Sequence, residues 1–337
     1  MPSRPSSVVD DFESERPHLT ALAYRMLGSR AEAEDTVQEA WLRYHKARGE
    51  GELRNVRGWL TTITGRICLD VLRSARVRRE AYPGPWLPEP VVTTGPAEAV
   101  ETKQEVGLAL LVVLEKLTPE QRVAVVLHDA FAVPFDEIAG VLNTSTEAAR
   151  QHASRGRRAI AAGQARHTAD LAEQRRVLAA FLAATSSGDL TALAAVLAPD
   201  VVAIGDGGGV VNAGRKPVFG ADKVARLYAG LFRRQPVPYS IDPVLVNGAA
   251  GLLLRGSYAD GRQLLAVLGF AIADGRITGI YNQVNPAKLG SIADLAIQDD
   301  SAPTAPDSPS LPAPEGSPLA ARDGSPLAAP DGSGDGG

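Results

Sequence analysis

The sequence is poor in the residues that staple small folds or hold metals. It contains one cysteine, Cys68, set in an apolar helical pattern, which excludes disulfide bridges and cysteine-rich zinc sites. Histidine is scarce: five in 337 residues, the last being His167, so the C-terminal half has no imidazole for acid–base chemistry. The longest apolar run, Leu264–Ala273 ("LLAVLGFAIA"), is far short of the ~20 residues a helix needs to span a bilayer. The start, "MPSRPSSVVDDFESE", is polar and acidic and lacks the apolar core of a secretion signal, so a cytoplasmic location is expected. No cofactor and no metal are expected.

What is there suits two or three globular domains: 337 residues, 45% of them apolar. The net charge of −4 conceals an uneven distribution. From Asp299 onward the chain is Pro, Ser, Ala, Gly and Asp, with "GSPLA" at Gly316 and again at Gly324, and Arg322 is its one base. Residues 299–337 have too little apolar surface to offset ordering entropy, so a disordered tail is expected. Basic residues concentrate instead in Arg73–Arg79 and in Arg150–Arg176.

Residues 8–80 read as a helical domain. A first helix ends at Gly28, after which Ser29 and Glu32 have capping-box spacing. In the next helix Ala33, Val37, Ala40, Trp41 and Tyr44 form an apolar face. Asp35, Gln38, Glu39 and Leu42 share another face, which is either a solvated surface or a grip for a basic partner helix. A third helix buries Leu60, Ile63, Ile67 and Val71 along one seam and carries Thr62, Arg66, Arg73 and Arg76 off it, with Trp59 at its start. Arginines beside an aromatic ring suit single-stranded nucleic acid, although on this helix alone a charged face over a core Trp is the simpler reading.

Residues 81–99 form a proline-rich linker, "AYPGPWLPEPVVTTGP" being its body. Proline stiffness makes it extended. Trp86, Leu87, Pro88, Glu89 and Pro90 ("WLPEP") place a large apolar ring there, which implies a strap docked on another domain or a Trp covering the edge of the neighbouring helices.

Residues 100–167 are again helical. "FDEIAGVL" is a short helix, Asn143 tolerates the left-handed conformation of a tight turn, and Thr144 with Glu147 has capping-box spacing before a basic helix. This is a helix-turn-helix pattern. Ser145, Thr146, Glu147, Arg150, Gln151 and Ser154 fall on its outward face, where Arg and Gln can read base edges. Arg155, Arg157 and Arg158 suit phosphates.

"SRAEAEDTVQEAWLRYHK", the Trp-bearing basic helix, "LTPEQRVAVVLHDAF" and "FDEIAGVLNTSTEAARQHASRGRRAI", in this order, resemble regions 2 and 4 of a sigma-70 family factor of the extracytoplasmic-function type. The resemblance implies that Asp35, Gln38, Glu39 and Leu42 bind the β′ clamp helices of core RNA polymerase. It implies that Trp59, Thr62, Arg66, Arg73 and Arg76 open the −10 element of promoter DNA, and that the helix around Thr144 to Arg158 reads the −35 element.

Residues 169–290 read as an α+β domain. Two helices precede strands at "VVAIG", "VV" after the glycines, "YSIDPVLVN", "AGLLLRGSY", "RQLLAVLGFAIA" and "RITGIYNQV", with "GADKVARLYAGLFRR" as a further helix and Asp260-Gly261 and Asp274-Gly275 as tight turns in an antiparallel sheet. The order resembles the SnoaL-like, ketosteroid-isomerase-type cone, and the whole is similar to sigma factors carrying such a C-terminal extension. That group's further motifs stand here as "DGGGV", with Asp206, Gly207, Gly208 and Gly209, and "NPAKL", with Asn285, Pro286, Lys288 and Leu289. Val210 and Ala287 each replace a charge of the group's pattern, so the dock is expected to rest mainly on apolar contacts. With no histidine and only acids such as Asp200, Asp206 and Asp242, a non-catalytic module regulating the sigma factor in cis is expected. The alternative is a fused isomerase- or cyclase-type enzyme, and an unidentified small ligand in the cone is compatible with either.

Overall fold

The computed structural model describes residues 8–51, 53, 55–93, 107–163, 169–234, 239–258 and 260–292. The tail at 299–337, the linker's end and the region expected to begin the second helical domain lie outside them. No helix among the described residues is long and apolar enough to cross a membrane.

Three helices open the chain: α1 (Val8–Leu27), α2 (Arg30–Glu50) and α3 (Val56–Glu80). Gly28, at φ +69, makes the break that a side-chain-bearing residue resists. Ser29 then caps α2 by accepting from the Glu32 amide. Phe12, Leu19, Val37, Tyr44 and Leu60 form one small core, against which Trp41 and Trp59 are partly buried.

After the linker come α4 (Leu108–Leu114), α5 (Pro119–Val125), which continues as a π-helical turn over Val126–Ala130, α6 (Phe135–Leu142) and α7 (Thr146–Ala161). Thr118 and Gln121 form a reciprocal capping box ahead of α5. Asn143 is left-handed at φ 52, as the turn between α6 and α7 requires. The cap of α7 is Ser145, accepting from the Ala148 amide, rather than Thr144 with Glu147; the turn is one residue longer than the capping-box spacing suggests.

The two helical regions are not separate bodies. Leu22, Met26, Leu27, Cys68, Leu69 and Leu72 of α1 and α3 share one core with Leu111, Val123, Leu127, Ile138, Val141 and Ala149 of α4 to α7. Gly65 permits this approach, since a Cβ there would lie 3.3 Å from Leu127 Cδ1.

The C-terminal domain comprises α8 (Leu171–Ser187), α9 (Leu190–Ala195), β2 (Leu197–Asp206), β3 (Val218–Phe219), α10 (Ala221–Arg233), β4 (Tyr239–Val246), β5 (Ala249–Ser257), β6 (Gln263–Ala273) and β7 (Arg276–Gln283). The linker supplies β1 (Val92–Thr93), and the sheet order is β1-β4-β5-β6-β7-β2-β3. This is the α+β cone expected, with two corrections. The sheet is mixed, because β2 runs parallel to β7 while the other pairs are antiparallel. "VV" after the glycines is a turn whose Val210 and Val211 amides both bond back to the Gly207 carbonyl, and Val218–Phe219 takes its place as the strand.

Both faces of this sheet are covered. Ala266, Leu268, Phe270 and Ile272 of β6 pack inward with Phe181, Tyr228 and Phe232, whereas Val267 and Ala271 pack outward with Leu87 and Val92 of the linker and Leu108 and Val112 of α4. A strand apolar on both sides must be buried on both sides.

Candidate nucleic-acid interface and regulatory dock

The basic helix α7 stands at the surface. Arg150, Gln151, Ser154, Arg155, Arg157 and Arg158 are exposed, as are Thr144, Ser145 and Glu147, with Thr146 half-buried. Two of these arginines have local partners. Arg157 Nε donates to Asp129 Oδ2 at 2.8 Å, and Arg150 lies over the Phe135 ring at 5.7 Å. The Arg157 hydrogen bond holds the Asp129 carboxyl below its ordinary range.

The residues expected on the other nucleic-acid face are differently placed. Trp59 is half-buried, its ring 6.1 Å from that of Tyr44, and Thr62 is half-buried too. Arg66 and Arg73 reach across to the second helical region: Arg66 donates to the Gly140 carbonyl at 3.1 Å and Arg73 pairs with Glu120 at 3.0 Å. Burial pushes the Glu120 carboxyl up, but a backbone hydrogen bond and Arg73 together bring it below the ordinary value. Arg76 lies in the last turns of α3, and its side chain is outside the described residues. On α2, Asp35, Gln38 and Leu42 are exposed and Glu39 pairs with Arg43 at 2.8 Å.

The three linker-related motifs converge. Asp206, at the end of β2, is completely buried and accepts from the Tyr82 hydroxyl at 2.6 Å, the Leu87 amide at 2.9 Å and the Gly208 amide at 3.0 Å. Lys288 completes its surroundings: Nζ lies 2.7 Å from Asp206 Oδ2, donates to the Leu87 carbonyl, and sits 3.8 Å from the centre of the Trp86 ring. Asn285 donates to the Tyr82 hydroxyl at 2.9 Å, and Gln283 to the Pro88 carbonyl at 3.4 Å. Burial, then the bond to Asp206, pushes the Tyr82 phenol up, so it stays a donor. Gly208 and Gly209 adopt φ of +64 and +76, and Cβ atoms there would meet Asn285 and Pro83 at about 2.5 Å. Gly207 is buried beside them, while Pro286 is exposed and Leu289 joins the apolar cluster.

The expectation of a mainly apolar dock is therefore corrected. Leu87 and Leu289 are buried, but an enclosed ionic and hydrogen-bonded network lies between them. Val210 and Ala287, the positions lacking a charge, are exposed beside the network rather than in it.

The strap has a second side, facing α1 and α2. The Glu89 amide donates to the Gly28 carbonyl at 2.8 Å, its carboxylate accepts from the Arg30 amide at 2.8 Å, and its carbonyl accepts from the Tyr24 hydroxyl at 2.7 Å. A carboxylate at a helix N-terminus is favoured by the helix dipole. Asn247, in the β4–β5 turn, donates to the same Tyr24 hydroxyl at 2.8 Å and accepts from the Val91 amide. Tyr24, Tyr82, Asn247 and Gln283 were not singled out by sequence. Asn247-Gly248 carried a turn signal, whereas the other three had none.

The acids considered for catalysis do not converge on an active site. Asp206 is consumed by the dock, Asp242 pairs with Arg255 at 2.9 Å, and Asp200 is exposed. Among the described residues no group of three or more His, Cys, Asp or Glu side chains could hold a metal ion.

The architecture defines a class: two helical modules, the second with a helix-turn-helix, followed by a sheet domain to which the linker is bound. Sigma-70 region 2 matches residues 12–78 and Sigma-70, region 4 matches residues 107–160. The chain belongs to the ECF RNA polymerase sigma factors. It is 43% identical over 291 residues to the ECF RNA polymerase sigma factor SigJ of Mycobacterium tuberculosis (strain ATCC 25618 / H37Rv), covering 83% of this chain and 93% of that protein. Against the probable ECF RNA polymerase sigma factor SigI of Mycobacterium tuberculosis (strain CDC 1551 / Oshkosh) the identity is 36% over 283 residues, covering 82% and 93%. The crystal structure of Mycobacterium tuberculosis SigJ matches at a TM-score of 0.68 with 39% identity, covering 84% of this chain and 98% of that one.

Proposed function

We propose that this sigma factor directs promoter recognition by RNA polymerase in the cytoplasm and is held inactive in cis by its C-terminal domain. In this reading α7 reads the −35 element through Arg150 and Gln151, α3 engages the −10 element through Arg66, Arg73 and Arg76, and the exposed Asp35/Gln38/Glu39/Leu42 face of α2 binds the β′ clamp helices of the core enzyme. The C-terminal domain is regulatory rather than catalytic; the dispersal of its acids, one into the dock and others to the surface, supports this.

The observation that carries the inhibitory reading is the engagement of Arg66 and Arg73 by Gly140 and Glu120. Side chains bonded to the second helical region are not free for DNA. The strap braces that closed arrangement, because Glu89 binds the start of α2 while Asp206 and Lys288 hold the adjoining residues on the cone. The test is in vitro transcription with core polymerase from the factor's own promoter region. Trp86→Ala, which removes the ring against Lys288, is expected to raise open-complex formation severalfold by loosening the brace. Unchanged or reduced transcription by a variant with native thermal stability overturns the inhibitory reading.

A further inference from the structure

A cavity of about 250 Å³ opens at the mouth of the cone, between β2, α10, the end of β7 and the loop that follows the buried Asp206. Its walls are mainly apolar, with Val218, Leu227 and Leu231 among them. Four lining residues carry polar side chains: Asn212, whose Oδ1 accepts from the Gly214 amide at 3.3 Å, and Lys216, Tyr228 and Asn282, which are placed to orient a ligand. Asn282 pairs with Gly205 across the parallel β2–β7 ladder, and its Oδ1 is buried without a hydrogen-bond partner among the described residues. A buried amide oxygen left unpaired costs free energy, which a ligand donor recovers. Burial raises the Tyr228 phenol, so its hydroxyl remains available to donate. Among the described residues Lys216 is the one charged residue lining the cavity, and neither a carboxylate nor a histidine lines it.

We propose that this cavity binds a small, flat hydroxy-carboxylate: an apolar body against Leu227 and Leu231, a hydroxyl on the Asn282 amide, and a carboxylate toward Lys216 at the rim. A hydroxyl both donates and accepts, so it satisfies the amide in either orientation. The cavity lies just below the usual ligand-pocket range, which limits the ligand to about ten to fifteen non-hydrogen atoms.

The site also touches the regulatory dock, and this half rests on the reading of the cone as a regulator. Asn212, Ala213 and Gly214 form part of the cavity wall, while the same loop borders the strap on its other side. There a Cβ on Gly84 would lie 3.6 Å from the Gly214 carbonyl, and one on Gly209 would lie 2.5 Å from Pro83. The loop begins at Asp206 itself. A ligand that displaces or stiffens it changes how firmly Tyr82 to Leu87 are held.

The test uses the full chain and 4-hydroxybenzoate as probe in isothermal titration, with benzoate (no hydroxyl) and 4-hydroxybenzyl alcohol (no charge) as comparators. Saturable binding at one site is expected, with each comparator about tenfold weaker, as the loss of one good hydrogen bond or ion contact predicts. Asn282→Leu should abolish the preference over benzoate while the thermal melt holds or rises, because an unsatisfied polar group has been removed. Lys216→Glu, a surface change with no bearing on folding, should abolish the preference over the alcohol. No saturable binding in the millimolar range, or preferences indifferent to both variants, overturns the site. The coupling is read separately by amide hydrogen exchange at Leu87. A change on adding the probe supports it, and binding without any change there overturns the coupling alone.

Discussion

Asp206 precedes three glycines, where an aspartate normally serves to shape a turn, yet it is the most heavily bonded side chain of the dock. Its carboxylate is fully buried and faces Lys288, whose side chain is 13% exposed. Breaking one partner of such a pair leaves an uncompensated buried charge. Asp206→Asn should therefore destabilise the strap–cone unit by about 3 kcal/mol, while Asp206→Asn combined with Lys288→Met should cost less than the sum of the two single changes. Denaturant titration of the four proteins measures this coupling. Because the pair is enclosed, its contribution should change little with salt, in contrast to a surface pair.

His18 makes a different residue-scale prediction. Its ring bonds Thr61 and Arg57 within the first helical region and packs edge-on against Phe131 of the second at 5.1 Å. Burial, then Arg57, lowers its pKa below 6.5. The folded state thus favours neutral His18, and its contribution is fully present above 6.5 and lost as pH falls through that value and below. The thermal melt should decline on acidification, and His18→Gln should flatten that decline. An identical pH profile in the variant would remove His18 as the cause.

At the scale of elements, α7 separates two kinds of contact. Arg150→Ala and Gln151→Ala should relax discrimination at the −35 element, each bidentate base contact being worth roughly 1–3 kcal/mol. Arg157→Ala should instead weaken binding to every sequence and flatten the salt dependence. Arg157 must first leave Asp129, and Arg150 must leave the Phe135 ring. Affinity measured across a panel of altered −35 sites distinguishes the two behaviours, and a uniform effect of all three changes would argue against α7 as the reading helix.

Over the whole molecule, the outer face of the cone's sheet joins the strap to α4. Gly269 on β6 makes room for this: a Cβ there would stand 2.6 Å from Leu108 Cδ2. Gly269→Val should push α4 outward while leaving the Asp206 network in place, since that network lies at the ends of β2 and β7. Energy transfer between labels on α7 and on the exposed end of β5 should fall if the second helical region loosens. Unchanged transfer would mean that the shared core with α1 and α3, rather than the cone, sets its position.

What depends on neighbours along the chain is readable from the order of residues. The left-handed Asn143 between α6 and α7, the Ser29 cap, the DG turn at Asp274 (φ 53) and the amphipathic periods of the helices are local rules, and each was legible. The WLPEP, DGGGV and NPAKL motifs stood out only through their resemblance to a group of sigma factors. That they meet around one carboxylate was not legible. Asp206 lies 119 residues from Leu87, and Asn247 lies 223 from Tyr24. The run Leu264–Ala273 carries a further signal: apolar residues on both alternating faces imply a sheet covered on both sides. What covers the outer side, a strap and a helix from another domain, follows from long-range packing alone. So does the engagement of Arg66 and Arg73 by the second helical region. The physical reason is the same in each case. Helices, caps and turns are selected by steric and hydrogen-bonding preferences within a few residues. A buried network forms only where distant segments exclude water together, and no local preference encodes which segments those are.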